Sequence, residues 1–288
     1  MFDIHGISAA LKKADDGIWY STTEEPVSYP ANGNACCFAV EDQSFWYKHR
    51  NACIVAAASA FPPVPAAPGK AAPMFDIGGG NGVVSFGLAG AGFDVVLVEP
   101  SRTGAANAKK RGIPNVICAT TQAAQFKENS LPAAGMFDVL EHIEDDRGFL
   151  RSLHASLQDN GLLYLLVPAY NCLWSHGDND SGHFRRYTLT SASSVLKSAG
   201  FEILYGTYIF RYLPLPFFLL RTIPYRLGLG RKKQTFTNQK VKNDYVVTNR
   251  LVVRVLDHLL AGEVKNIRDK KTMHVGGSCL LVARKKMP

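Results

Sequence analysis

The chain has 288 residues, of which 47% are hydrophobic and 19% are charged. This ordinary globular balance excludes a fibrous or wholly disordered protein and allows one large domain with attachments. Six cysteines are too few for a disulfide scaffold at this length. No apolar run approaches the ~20 residues that cross a bilayer. Because the N-terminus also lacks the pattern of a signal peptide, we expect a reducing, cytoplasmic location.

The net charge of +8 is unevenly distributed along the chain. Residues 206–288 carry a net charge of +13, whereas the residues before them carry −5. The isoelectric point of about 9.2 therefore describes one C-terminal segment. For that reason it does not by itself indicate a nucleic-acid partner for the whole protein.

Residues 1–70 predict a helical extension that ends in a proline-rich linker. Residues 11–20 could form a short helix, and residues 41–60 predict a longer one that begins acidic and becomes apolar. Residues 61–73 contain too many prolines to continue a helix, so we expect a linker or an extended crossing segment. Trp46 on the second helix is a candidate to cover a ligand site, with simple docking on the core as the alternative.

Strands and helices alternate from residue 71 to residue 205. The predicted strands are residues 72–77, 93–98, 115–119, 133–137, 162–167 and 201–205. The predicted helices between them are residues 83–91, 103–111, 145–157 and 188–199. This alternation predicts a doubly wound α/β fold, in which a mostly parallel sheet carries helices on both faces.

Residues 206–277 predict a basic, apolar helical cap inserted before a last core strand and tail at residues 278–288. If that strand is antiparallel, the insert leaves and re-enters at the sheet edge where open α/β sheets bind ligands. Residues 208–229 are apolar, but their prolines exclude one continuous helix, and residues 243–260 predict an amphipathic helix. An apolar face beside basic residues fits contact with a membrane surface through residues 208–233, or a cap that buries its apolar side.

A glycine-rich loop, DIGGGNG at residues 76–82, lies between the first predicted core strand and its helix. Its glycines let backbone N–H groups approach a ligand at a helix N-terminus. Asp76 opens the loop, which suits a ligand carrying an ammonium group better than a pyrophosphate. Glu99 ends the second predicted strand, where it could accept hydrogen bonds from two ribose hydroxyls. The pattern favours a nucleoside with a cationic, amino-acid-bearing tail over a dinucleotide.

Five segments carry a resemblance to a known family: FDIGGGNG (75–82), VLVEP (96–100), FDVLEHIED (137–145), LLYLLVP (162–168) and SGHFRRYTLTSASSVLKSAGFEI (181–203). Together they resemble the class I S-adenosylmethionine-dependent methyltransferases, in a branch close to the ubiquinone and menaquinone biosynthesis methyltransferases. The resemblance implies a Rossmann-like fold with a mostly parallel, seven-stranded sheet. It also implies S-adenosyl-L-methionine as cofactor and S-adenosyl-L-homocysteine as product.

The resemblance assigns roles to individual positions. The implied cofactor-binding residues are Asp76, Gly78, Gly79, Gly80, Gly82, Glu99, Pro100, Thr120, Thr121, Phe137 and Asp138. Within this set the loop would line the methionine moiety, Glu99 would hold the ribose and Pro100 would flank the adenine. Thr120 and Thr121 stand where the family often has an acidic residue, so the chain departs from the family pattern beside the adenine.

In methyl transfer the main role of the protein is to align the acceptor, the methyl group and the sulfur, because the sulfonium already makes the methyl group electrophilic. A base is needed only where the acceptor must lose a proton. His142, which follows the fourth predicted strand, is the candidate for that role. The alternative is a histidine at a helix start that packs or hydrogen-bonds locally.

Residues 174–187 follow the fifth predicted strand on the same edge and could form a substrate lid with an anion clamp. With Trp46, the candidate substrate residues are Trp174, His176, His183, Arg186 and Tyr187. The alternative is a metal site of the catechol-methyltransferase kind, formed by His176, Asp178, Asp180 and His183. Loops rich in Asp, Asn, Ser and Gly usually form turns, so we predict no metal site.

Three functions remain open on the sequence. The first is a methyltransferase for a small or lipid-like acceptor, and the second is a methyltransferase that grips RNA or protein with the basic cap. The third is a non-catalytic regulator that binds the cofactor. The cap interleaves its charges with bulky aliphatic residues and no RNA-binding module is recognisable, which disfavours nucleic acid as the partner.

Overall fold

The computed structural model describes residues 3–23, 33–38, 40–65, 72–229 and 250–286, with the backbone alone at residues 250 and 251. The strands of the described chain are β1 Leu11–Lys13, β2 Trp19–Ser21, β3 Met74–Ile77, β4 Val95–Val98, β5 Asn115–Cys118, β6 Leu131–Phe137, β7 Leu157–Pro168, β8 Phe201–Ile209 and β9 Ser278–Lys285. They form one nine-stranded sheet in the order β1-β2-β5-β4-β3-β6-β7-β9-β8.

The helices of the described chain are α1 Ile4–Ile7, α2 Gly33–Phe38, α3 Phe45–Ala60, α4 Val83–Gly90, α5 Arg102–Lys110, α6 Thr121–Ala124, α7 Asp146–Ser156, α8 His176–Ser181, α9 Leu189–Ser198, α10 Pro214–Phe217, α11 Ile223–Arg226 and α12 Arg250–Arg268. Short 3₁₀ turns cover Leu140–His142 and Asn171–Leu173, and a π-helical turn covers Phe218–Thr222. Side chains cap several helix starts: Ser44 before α3, Asp145 before α7 and Thr188 before α9 each accept a backbone N–H. These caps satisfy donors that have no partner inside the helix.

The central strands β5, β4, β3, β6 and β7 run parallel, whereas β9 is antiparallel to both β7 and β8. Every residue of β3, β4 and β6 is buried, as expected for strands covered on both faces. The predicted Rossmann-like α/β fold is confirmed. The last strand is antiparallel, which is the condition under which the insert would leave and re-enter at the ligand edge. Along this sheet, the parallel strands all end at one edge, where ligands of such folds bind.

The sheet has two more strands than the predicted seven, and both come from the N-terminal extension. The helix predicted at residues 11–20 is wrong, because these residues form the β1–β2 hairpin instead. Asp16 accepts the backbone N–H of Ile18 at 2.9 Å, and Gly17 has a φ of +77°. The side-chain bond of Asp16 and the positive φ of Gly17 are features of a turn, and they are incompatible with a continuous helix. After this turn, β2 extends the sheet by pairing in parallel with β5.

Among the described residues, the two largest of three hydrophobic clusters fill opposite sides of the sheet. One includes Leu150 of α7 and Leu196 of α9. The other includes Ile54 of α3, Leu88 of α4 and Leu260 of α12. The predicted helix at residues 41–60 is therefore present as α3, and it covers one face of the core.

The C-terminal insert divides into two parts with different positions. The helical run from α10 to α11 lies at the ligand edge, and its π-helical turn immediately precedes the α11 segment that contains Pro224. In contrast, α12 packs against α3 on a face of the sheet, so the whole insert does not cover the site. Glu263 of α12 accepts the backbone N–H groups of Phe210 and Arg211 at 2.7 and 2.8 Å and hydrogen-bonds His49 at 2.9 Å.

Two segments that carry sequence predictions fall outside the described residues. They are the middle of the proline-rich linker, residues 66–71, and residues 230–249, which include the basic run at 231–233 and the start of the predicted amphipathic helix. Among the helices that the structure describes, none has both the length and the apolar character that crossing a membrane requires.

Candidate active site

A cavity of about 920 Å³ lies at the carboxyl ends of the parallel strands. The predicted site residues that line it are Trp46, Asp76, Gly78, Gly79, Gly80, Glu99, Pro100, Thr120, Thr121, Phe137, Asp138, His142, His183 and Arg186. The predicted site residues outside its lining are Gly82, Trp174, His176 and Tyr187. The fold thus places the loops that follow several strands around a single cavity, although these loops are far apart in sequence.

The glycine loop packs tightly against its neighbours at Gly78 and leaves space beside Gly80. Gly78 has a φ of +68°, and a Cβ there would lie 2.7 Å from Val139 Cγ2. Gly80 has a φ of +54°, and a Cβ there would have Asn34 Oδ1 as its nearest neighbour, at 3.5 Å. Glycine is therefore required at both positions by the left-handed backbone, and at Gly80 the space beyond the backbone is available to a ligand.

Glu99 sits at the end of β4 with both carboxylate oxygens hydrogen-bonded. Oε2 accepts the N–H of Gly80 at 2.9 Å, while Oε1 accepts the N–H of Ser101 at 2.8 Å and the amide of Asn34 at 3.3 Å. Burial raises the pKa of Glu99, and the two backbone N–H groups oppose that shift. Because a carboxylate offers about four lone-pair positions, one ribose hydroxyl fits on Oε2. A second would have to displace the long bond from Asn34.

Asp76, at the end of β3, is fully buried and accepts the hydroxyl of Ser85 at 2.7 Å. Burial raises the pKa of Asp76 to about 6, with the Ser85 hydrogen bond and the charge of Arg50 acting in the opposite direction. A buried carboxylate in this state gains strongly from a cationic partner. The expected ammonium of the methionine moiety is such a partner.

A polar network ties the N-terminal extension to the glycine loop. The amide of Asn81 donates to the carbonyl of Asn34 at 2.8 Å and to Glu41 at 2.9 Å. Glu41 in turn pairs with Arg111 at 2.7 Å, and Asn107 donates to Asn81 at 2.9 Å. Helix α2 thereby becomes one wall of the cofactor end of the cavity, although its sequence carries no recognisable motif.

Arg50 of α3 forms an ion pair with Asp138 at the end of β6, at 2.5 Å. Burial alone would lower the pKa of Arg50, but the carboxylate of Asp138 outweighs this and the pKa is raised. The guanidinium lies 5.0 Å from the ring centres of both Trp46 and Tyr47. Trp46 also stacks on Phe210 at 5.5 Å, so α3 supplies an aromatic side of the cavity.

Beyond Asp138, the 3₁₀ turn brings Glu141 and His142 against the loop that contains His183. The two imidazole rings lie 4.8 Å apart and nearly perpendicular. Burial and the nearby His183 lower the pKa of His142 to about 4, so this ring is neutral at neutral pH. Burial and the charge of Asp138 raise the pKa of Glu141. The DVLEH and SGHFRRY segments thus meet at one end of the cavity.

Several residues predicted to touch substrate are instead engaged by the protein. Arg186 holds Asp178 through two nitrogens, at 2.6 and 3.1 Å, and donates to the carbonyl of Ala169 at 3.1 Å. The hydroxyl of Tyr187 donates to Asp146 at 2.8 Å. Their placement indicates that they shape the loop, and the guanidinium of Arg186 has few donors left for an anion.

The remaining two lid candidates lie on the far side of the same loop. Trp174 donates its indole N–H to Asn179 at 3.0 Å, and His176 packs edge-on against Tyr225 at 4.8 Å. Neither residue lines the cavity, since Trp174 contacts a residue of α8, whereas His176 begins α8 and contacts a residue of α11. Gly82 is the N-cap residue of α4 and has a left-handed backbone conformation, so it ends the glycine loop without lining the cavity.

A family model described as a methyltransferase domain matches residues 47–205, which is more than half of the chain. The chain belongs to this methyltransferase family. It is an S-adenosylmethionine-dependent methyltransferase of class I, and S-adenosylmethionine is its cofactor. The matched residues contain the glycine loop, Glu99 and the meeting point of the DVLEH and SGHFRRY segments.

Solved structures agree with the fold of this methyltransferase. An S-adenosylmethionine-dependent methyltransferase from Thermotoga maritima aligns with a TM-score of 0.52 at 15% identity, covering 88% of this chain and 96% of the other. The 4+2 cyclase SpnF also aligns with a TM-score of 0.52, at 18% identity, covering 84% and 82%. At these identities the likeness shows the fold alone. No curated protein matches the sequence.

Two site residues of the methyltransferase were missed because nothing local marks them. Asn34 and Glu41 lie in the N-terminal extension, and only the folded chain brings them to Glu99 and the glycine loop. Asn81 was the one sequence signal for this network, since it is the only polar side chain among the four glycines of the loop. Glu141, which precedes His142 in the DVLEH segment, is a buried carboxylate in the cavity lining.

Proposed function

We propose that this methyltransferase transfers the methyl group to a small, lipid-like acceptor by in-line displacement. The observation that supports the proposal is an apolar wall beyond the glycine loop. Its residues are Phe45, Trp46, Leu173, Phe184, Phe210, Leu213, Phe217 and Leu220. An acceptor with an extended hydrocarbon or ring surface would bury that surface against this wall, at about 25 cal/mol for each Å² removed from water.

The same wall supports the finer resemblance to the ubiquinone and menaquinone branch, whose acceptors are rings that carry an isoprenoid tail. A ring placed beside Trp46 and Phe210 would stack with them, and its tail would leave along α10 and α11. A polar macromolecule gains nothing from such a wall. We therefore rank RNA and protein acceptors below a lipid-like one.

For the cofactor, we propose that Asp76 holds the ammonium group and Glu99 the ribose. Pro100, Thr120 and Thr121 then flank the adenine, where Thr120 also caps α6 through its hydroxyl. The bound cofactor supplies an electrophilic methyl group. The residues of the chain bind and orient it, and the apolar wall excludes water from the acceptor.

His142 is the proposed proton acceptor for acceptors that must lose a proton. It lines the cavity at the acceptor end, beside the loop that contains His183. We expect His142→Ala to lower kcat with little change in cofactor affinity, since the cofactor end of the cavity is built from other residues. Loss of cofactor binding in this variant would contradict the assignment.

The acceptor class is tested with cofactor labelled on its methyl group. The full chain is incubated with a lipid extract, with an aqueous metabolite fraction, and with RNA and protein. We expect the label in the organic phase, and we expect Trp46→Ser to reduce this transfer at unchanged cofactor affinity. Label in RNA or protein would overturn the proposal, as would label confined to the aqueous metabolites.

We also propose that the helical run from α10 to α11 touches a membrane surface, where a lipid-like acceptor would be found. Leu215 in this run and Leu227 directly after it are 67% and 66% exposed, and Arg221 and Arg226 lie in the run itself. Apolar residues beside arginines match the boundary between acyl chains and anionic headgroups. This contact is compatible with an otherwise cytoplasmic protein.

Flotation with vesicles tests the membrane contact. We expect the chain to float with anionic vesicles more than with zwitterionic ones, and the double variant Leu215→Ser with Leu227→Ser to float less. Val275→Ser is the matched control, since Val275 is 53% exposed but lies just before β9 and outside this run. A wild-type chain that stays at the bottom of both gradients would contradict the contact.

A further inference from the structure

We propose that Glu141, His142 and His183 form a binding site for a divalent first-row transition metal ion at the acceptor end of the cavity. One ligand atom from each side chain lies within 4.8 Å of the others, and all three residues line the cavity. This proposal opposes the sequence prediction of no metal. It also uses a different set of residues from the alternative considered there, with His183 alone in common.

The orientation of His183 supports the site. Its Nδ1 lies 2.9 Å from Asp178 Oδ1, and since a carboxylate accepts, Nδ1 carries the proton and Nε2 carries the lone pair. Asp178 is itself fixed by Arg186 and by the N–H of Ser175 at 2.9 Å. A carboxylate that holds one imidazole nitrogen while the other faces a ligand is the arrangement that metal-binding histidines use.

Glu141 supplies the second observation. Its side chain is 1% exposed, and its Oε2 has no hydrogen-bond partner among the residues that the structure describes. The two neighbouring carboxylates differ from Glu141 because each is paired with an arginine. Asp138 is paired with Arg50, and Asp178 is paired with Arg186. Glu141 forms no such ion pair within the described part of the chain. A buried carboxylate oxygen without a partner is costly, and a bound cation would remove that cost.

The donor set indicates which ions would bind. Two imidazole nitrogens and one carboxylate suit Zn²⁺, Co²⁺, Mn²⁺ or Fe²⁺, whereas Mg²⁺ and Ca²⁺ prefer oxygen ligands. Ligands of a tetrahedral zinc ion lie about 3.4 Å apart. The three side chains would have to close somewhat from their present spacing, through small rotations. A coordination position would remain open toward the cavity, where an acceptor hydroxyl or amine could bind.

The proposal of a metal site does not depend on the proposed acceptor, because metal binding can be measured in the absence of any acceptor. When an ion is present, His142 is a ligand and its lone pair is not available as a base. The ion would then take over the task of favouring the deprotonated form of an acceptor group, whose proton passes to water. A strict dependence of activity on His142 is expected in either case, so activity of that variant does not distinguish the two roles.

The test is a calorimetric titration of the full chain, stripped with a chelator, with Zn²⁺ alone. We expect one equivalent to bind, with a loss of at least about 30-fold in affinity for His183→Ala and for Glu141→Gln. His176→Ala is the control from the alternative metal set, and it should bind as the wild type does. Cofactor titration of each variant shows whether the fold and the cofactor end are intact.

A second titration with Co²⁺ reports the ligands by absorption, because imidazole and carboxylate ligands in a distorted tetrahedral site give visible bands that octahedral aqueous Co²⁺ barely shows. The proposal is overturned if no equivalent of Zn²⁺ binds, or if both His183→Ala and Glu141→Gln bind as the wild type does. It is also overturned if Cys53→Ala abolishes binding instead, since Cys53 belongs with His49 and Glu263 to a separate buried cluster. None of these results depends on the identity of the methyl acceptor.

Discussion

The two ends of the cavity are built in different ways. The cofactor end consists of strand ends and the glycine loop, with backbone N–H groups and the buried carboxylates of Asp76 and Glu99 in fixed hydrogen bonds. The acceptor end is assembled from α3, the 3₁₀ turn, the loop around α8 and the run from α10 to α11. Its walls are apolar and aromatic, and some of its polar groups form ion pairs, such as Arg50 with Asp138 and Arg186 with Asp178.

This difference separates what is common to the methyltransferase family from what is particular to this chain. Every cofactor molecule presents the same groups, so a few hydrogen bonds at fixed strand ends are enough to hold it. The acceptor end uses segments attached around the sheet, which can differ without disturbing the strands. Substitutions at the acceptor end should therefore leave cofactor binding largely intact, and substitutions at the cofactor end should leave the walls of the acceptor end in place.

The largest effect on cofactor affinity is expected from Gly80→Arg. An arginine side chain would enter the cofactor end, so we expect cofactor affinity measured by calorimetry to fall at least about 100-fold, or about 2.7 kcal/mol. Gly92→Arg is the matched control, since Gly92 also has a positive φ, of +90°, but no atom lies within 4 Å of a Cβ there. Equal losses in the two variants would mean that strain, and not occupation of the cavity, is responsible.

The attachment of the acceptor end is tested by Glu263→Ala. The variant leaves the buried N–H of Phe210 and the N–H of Arg211 without their acceptor and removes the bond to His49, so the free energy of unfolding should fall by about 3 kcal/mol. Denaturant titration measures this change. Glu202→Ala, at an exposed ion pair with Arg284, should cost less than about 1 kcal/mol.

If the two ends are separable, Glu263→Ala should still bind the cofactor with nearly wild-type affinity under conditions where it is folded. A loss of cofactor binding in the folded variant would show that α12 and the cofactor end are coupled. The comparison between the two ends would then have to be abandoned.

The pH dependence of cofactor binding should report Asp76. Because its pKa in the folded protein is about 6, the carboxylate loses its charge as the pH falls through 6, and attraction for an ammonium group is lost. We expect cofactor affinity to be about tenfold lower at pH 5 than at pH 7.5. Asp76→Asn should bind weakly at both values and show a flatter profile.

The same shift has the opposite sign for the stability of the unliganded protein. The folded pKa of Asp76 lies above its ordinary value of 3.8, so between pH 4 and 6 the folded state holds a proton that the unfolded state has released. The contribution of Asp76 to the free energy of unfolding should therefore fall as the pH rises through this range, and then stay constant. Asp76→Asn should lose this slope.

The smallest effect is expected from Asn34→Ala. The bond from its amide to Glu99 is long, at 3.3 Å, so its loss should weaken cofactor binding about fivefold. Calorimetry at one pH is sufficient to detect the change. An effect as large as that of Gly80→Arg would show that α2 is an essential wall of the cofactor end and not an addition to it.

The sequence by itself determined the alternation of strands and helices, the glycine loop and the acidic residue at the end of β4. These features are local, because turn chemistry, hydrophobic periodicity and strand ends are read within a few residues. It also identified the DVLEH and SGHFRRY segments, which the family match covers. It did not find the β1–β2 hairpin, whose pairing with β5 joins residues about a hundred positions apart.

The tertiary structure alone decided which side chains meet. It joined Asn34 and Glu41 to the glycine loop, turned Arg186 onto Asp178, and placed Glu141 beside His142 and His183. These contacts depend on the relative positions of segments that carry no mark of one another in the sequence. Burial then set the charge states, since the pKa of a carboxyl or an imidazole depends on what surrounds it in the folded protein.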